Sequence, residues 1–123
     1  MKRYAIAVAV FLALCAAALA DTTIAPGQRT SVSASGTITL GGTFQQLMAA
    51  NLNRTGCFIQ NTSTHILYVF FGATASATLT NSIQVPVGGS VTCSIQGGAI
   101  TLTDNIAITT STTSDPFVAF YQN

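Results

Sequence analysis

Short runs of β-branched and aromatic residues, separated by turn residues, leave this chain little choice of fold. The runs cover residues 37–40 before Gly41-Gly42, 43–48, 57–60 before Asn61, and 66–71 before Gly72. They continue with 82–85 before Pro86, 90–95 before Gly97-Gly98, 100–103, 106–110 and 117–121. Strand-length segments separated by turn signals every ~8–12 residues argue for an all-β sandwich or barrel. Beyond the N-terminal segment no window keeps a helical period for three turns. The expected fold is therefore a single antiparallel β-sandwich, jelly-roll- or Ig-like.

Successive residues of a strand point to opposite faces of its sheet. Cys57 and Ile59 then share one face, as do Val91, Cys93 and Ile95, which turns both cysteines toward the core. A bridge between Cys57 and Cys93 would close a loop of about 36 residues and stabilise by roughly 3–4 kcal/mol in the chain-entropy model. Two free core thiols are the alternative. The runs 66–71 and 117–121 are apolar on both faces, so their second face is either covered within the fold or offered to another subunit. Tyr68, Phe70, Phe117 and Tyr121 are accordingly the candidate oligomer or partner interface.

The N-terminus has the order of a secretory signal sequence: Lys2 and Arg3, an apolar run from Ala5, then Ala18-Leu19-Ala20 before Asp21. The apolar segment is slightly short of the ~20 residues that span a bilayer, so cleavage is expected and membrane contact arises only through this segment if it is kept. The division expected is a signal helix over 1–20, a Ser/Thr-rich extended leader with at most an edge strand over 21–35, and the sandwich over 36–123. Export to the periplasm or the extracellular space follows, where a disulfide persists. Residues 21–123 carry two arginines against three aspartates, a formal charge of −1. No basic footprint for nucleic acid or anionic lipid can be built from that.

Chemistry is equally hard to assemble. The single histidine, His65, lies in a Thr/Ser-rich turn, there is no glutamate, and Asp21, Asp104 and Asp115 are scattered. A hydrolytic triad, a carboxylate pair and a metal site each need more. The glycine pairs lack the lysine and helix of a phosphate loop. The expectation is a non-enzyme without cofactor or metal.

One stretch carries a family pattern. Gly42-Thr43-Phe44-Gln45-Gln46-Leu47-Met48-Ala49-Ala50-Asn51 is followed by Asn53-Arg54 and Ile59-Gln60-Asn61-Thr62-Ser63. A hydrophobic strand ending in Phe71-Gly72 comes next, then an Ala/Thr-rich stretch and Pro86-Val87-Gly88-Gly89-Ser90. In order and spacing this resembles small β-sandwich proteins of tailed bacteriophages and prophages, over about residues 36–123. The resemblance implies a structural or assembly role in a virion, as a decoration or tail-associated protein, with a homo-oligomer or a virion or surface protein as partner. It also places Asn51, Arg54 and Asn61 at strand ends, where Asn suits turns and Arg can bind leftover carbonyls. The alternative reading is an exported adhesion module whose Ser/Thr/Asn surface recognises a glycan or a protein.

Overall fold

The computed structural model describes residues 30–94 and 103–123. The signal helix, most of the leader and nearly all of the run at 100–103 lie outside the described residues; Thr103 itself is in a turn. The rest is all-β, with nine short strands in two antiparallel sheets. They are β1 (Ser31–Ser33), β2 (Gly36–Thr37), β3 (Gln45–Met48), β4 (Gly56–Asn61), β5 (Leu67–Phe71), β6 (Ile83–Val85), β7 (Ser90–Ser94), β8 (Ile106–Thr109) and β9 (Pro116–Gln122).

The first sheet runs β1-β9-β4-β7, with β2 also paired to β9, and the second runs β3-β8-β5-β6. Because β1 pairs with β9, the sheet begins at Ser31 and not at residue 36. The run at 37–40 is strand only to Thr37, for Ile38 turns into the core while Leu40 is exposed in a turn. That turn needs glycine at 41, where a Cβ would lie 2.7 Å from the Ser111 carbonyl oxygen.

One apolar core joins the sheets. Cys57, Ile59, Cys93, Phe117 and Ala119 come from the first, and Met48, Leu67, Val69, Val85, Ile106 and Ile108 from the second. The alternation is regular in β4, where Cys57, Ile59 and Asn61 are buried and the residues between them only partly so. In β8 all four residues are buried, because it is a central strand flanked by the bulkier β3 and β5. Thr109 and Thr110 are wholly buried and hydrogen-bonded, with Thr110 Oγ1 donating to the Thr112 carbonyl at 2.8 Å. Cys57 and Cys93 face each other directly across β4 and β7 and form a disulfide, with a Cα–Cα distance of 4.9 Å.

Candidate functional site

The pairing register decides which aromatic side chains reach the surface. Phe58 of β4 stands opposite Phe120 of β9, and Ile59 opposite Ala119. Since Ile59 and Ala119 are fully buried, Phe58, Val118 and Phe120 face outward. Phe117 and Tyr121 share the opposite, inner face. Phe117 is only 5% exposed and belongs to the core, so it is not available as an interface residue, and Tyr121 packs against that core. Of the two residues expected at an interface on β9, Phe117 is thus buried and Tyr121 partly buried on the inner face, and the outward-facing residues are Val118 and Phe120. Phe120 was missed because the run at 117–121, apolar on both faces, does not declare its phase; the usable signal was Cys57, whose inward direction already turns Phe58 outward and is transmitted to β9 by pairing.

On the second sheet Tyr68 and Phe70 alternate with the buried Leu67 and Val69 and so project from its outer face, half-buried. Tyr68 lies opposite Gln84 on one side and Thr109 on the other, and Phe70 opposite Ala107. Exposed apolar side chains gather around the same hairpin. Ile66, Leu79, Ile83 and Val87 are four of the seven exposed large apolar residues among those described.

The polar residues singled out in the sequence are internal ties. Arg54 is 3% exposed; it donates from Nη1 to the Asp104 carbonyl at 2.9 Å and from Nη2 to the Ala49 carbonyl. Its guanidinium also sits over the Tyr121 ring, 5.7 Å from the centroid, a cation–π arrangement. Burial pushes the Arg54 pKa down from its ordinary value, with the Tyr121 phenol acting in the other direction. Arg54→Met keeps the apolar stem but deserts both carbonyls. A loss of about 1–3 kcal/mol is expected, read as a lower urea midpoint; an unchanged midpoint would show that water replaces the guanidinium.

Asn51 donates from Nδ2 to Asn123 Oδ1 at 2.8 Å and accepts from the Asn53 amide at 2.9 Å, which closes the turn before β4. Asn61 is fully buried at the end of β4. Its Nδ2 donates to the His65 carbonyl at 2.7 Å and the Val85 carbonyl at 2.9 Å. Its Oδ1 accepts from the Ser63 amide at 3.0 Å and the Ser63 hydroxyl at 2.8 Å. The main chain adds two bonds to the 86–89 turn, where Gly88 adopts a φ of 73°.

One polar cluster was not foreseen. His65, expected as a solvated turn residue, has Nδ1 at 3.1 Å from both carboxylate oxygens of the buried Asp115, and Nε2 at 3.4 Å from Thr112 Oγ1. A carboxylate only accepts, so Nδ1 carries the proton. The order carboxylate, imidazole, hydroxyl parallels a hydrolytic relay, but none of the three lines either cleft described next, and the cluster's visible effect is to pin the 62–65 turn to the 111–115 loop. Among the described residues no group of three His, Cys, Asp or Glu side chains is placed to hold a metal.

Two of the clefts among the described residues bear on the site. One, of about 310 Å³, lies at the end of the first sheet over Gly56, between Phe58, Phe120 and Gln122. The other, of about 300 Å³, enters between the sheets beside Leu47 and Met48 and reaches Arg54 and Tyr121. No family model, curated protein or solved structure matches the chain.

Proposed function

We propose that this chain is a non-enzymatic structural protein that assembles with copies of itself through the outer face and edge of the β5–β6 hairpin. The observation that carries the reading is the half-buried Tyr68 and Phe70 on that outer face, with the exposed Ile66 and Leu79 beside the hairpin and Ile83 at its β6 edge, in a chain with few charges. Apolar side chains gathered at one part of a surface are a mark of contact sites. Among the described residues the three-residue β6 is the last strand of its sheet, an edge that a second copy can meet.

The strand orders β1-β9-β4-β7 and β3-β8-β5-β6 support the jelly-roll over the Ig-like form of the sandwich, with β1 and β2 acting as two halves of a first strand. Jelly rolls serve both as capsid-type building blocks and as lectins, and the fold by itself selects neither role. The resemblance of the motif order to that of phage sandwich proteins favours assembly, in a virion or, after export, on a surface.

Sedimentation velocity of the wild-type protein at high micromolar concentration is expected to show a discrete oligomer, and Tyr68→Asp a monomer with unchanged circular dichroism. A wild-type monomer across that range overturns the reading. Tyr121→Asp does not serve this purpose, since Tyr121 packs inward against the core and Arg54.

A further inference from the structure

The face of the first sheet, on the other side of the core from that hairpin, has a depression whose origin is one residue. Gly56 opens β4 and is flanked on both sides, by Gln122 of β9 and Ser94 of β7. Its backbone does not call for glycine. Its φ is not positive, and an added Cβ would meet only the Cys93 carbonyl oxygen, at an ordinary 3.6 Å. Glycine weakens a strand, and where no bulge or turn explains it, it marks a place that something else approaches closely. What the missing side chain leaves here is the cleft of about 310 Å³.

The chemistry of that cleft is specific. Phe58 and Phe120, directly opposed across β4 and β9, supply two apolar aromatic surfaces, and Phe120 is 41% exposed. Ser31, Thr55 and Gln122 place hydroxyl and amide groups around them, and among the described residues that line the cleft there is no Asp, Lys, Arg or His. An uncharged site disfavours anions and cations alike, since neither would find a counter-charge on losing water. A purely hydrocarbon ligand would leave the polar rim unpaired. The matching ligand has an apolar face, polar edges and no charge, in a volume near the lower end of small-ligand pockets.

We propose that the cleft over Gly56 is a binding subsite for a neutral sugar residue of a glycan. The ring's C–H face lies on Phe58 and Phe120, and its hydroxyls are read by Ser31, Thr55 and Gln122. The site does not depend on the assembly reading, because it occupies the other sheet. If both hold, an oligomer presents several such subsites at once, and weak single contacts become strong adhesion by multivalency.

The experiment is a titration of the isotopically labelled full chain, followed by amide chemical shifts, with chitohexaose, cellohexaose and maltohexaose separately, and with an oligogalacturonate as the charged control. Saturable shifts centred on Gly56, Phe58 and Phe120 are expected with at least one neutral hexasaccharide and not with the control. Gly56→Val fills the cleft with a strand-compatible side chain and should abolish them while the remaining spectrum stays in place. Phe120→Ala, at an exposed position, should weaken binding at least tenfold and guards against a misfolded Gly56 variant. Absence of shifts with all three neutral sugars, a stronger response to the charged one, or shifts that survive both substitutions each overturn the proposal. The Tyr68→Asp variant separates the two readings: single-chain binding persists in it when the subsite is real, whatever becomes of the oligomer.

Discussion

Asn61→Asp is expected to destabilise the protein by about 3–5 kcal/mol, although it replaces one atom of a buried side chain by another of nearly the same size. The size of the effect follows from the complete use of the amide. Nδ2 donates to two carbonyls, those of His65 and Val85, and Oδ1 accepts twice from Ser63. These bonds link the end of β4 in the first sheet to the end of β6 in the second, and both to the turn at 62–65. Asparagine fits because it has two donors and an acceptor oxygen on one planar group. A carboxylate keeps the two acceptor contacts and converts the two donor contacts into oxygen facing oxygen, in a place without access to water. Desolvation and carbonyl repulsion both favour the protonated acid, so its folded-state pKa would rise above the unfolded value. The penalty should then be smallest below about pH 4 and grow toward neutrality. Urea unfolding of the variant between pH 3.5 and 7 measures it. A loss under about 1 kcal/mol at pH 7 would mean that the amide's bonds are replaceable by water and that the link between sheets lies elsewhere.

Much of this architecture was readable from the chain, and the reasons for success and failure are local. β4, β5, β7 and β9 fall within a residue or so of the apolar runs, because strand-forming residues are dense there and thin out on either side, as at Gly72 after β5. The Cys57–Cys93 bridge was legible as a candidate because one-in-two alternation turned both cysteines inward, and it lies between two directly paired positions. Phase failed where alternation failed. In 117–121 every residue is apolar, so the inward set of Phe117, Ala119 and Tyr121 becomes known only through pairing with β4. The His65–Asp115 contact joins residues 50 apart in the chain, and neither carries a local sign of the other. Nothing in the chain singles out Gly56. Its distinction, an open cleft over a backbone that would tolerate a side chain, exists only once β9 and β7 are in place.

Removing the disulfide should have an effect of the same order as the Asn61 change, through a different term. Cys57 and Cys93 are 36 positions apart, and the bridge forbids the unfolded chain most separations of those two points. In the chain-entropy model that restriction raises folded-state stability by about 4 kcal/mol at 25 °C. The native side of the balance changes little on reduction: both residues are buried opposite each other, and free thiols are comfortable as small apolar groups in such a place. For a domain near 100 residues, a stability change of that size lowers the melting temperature by on the order of 15–25 °C. Calorimetry of the protein with and without a strong reductant tests this, together with thiol counting on denatured, unreduced protein, which should find no free thiol at Cys57 or Cys93. The double variant Cys57→Ala/Cys93→Ala should fall by at least as much as the reduced protein, since it also leaves space where the two sulfurs were. A drop below about 4 °C on full reduction would mean that the unfolded chain is already compact enough to keep β4 and β7 near each other. Their pairing, flanked by β9 on the other side of β4, would then hold the first sheet together without the bridge, and the cysteines would contribute as core residues alone.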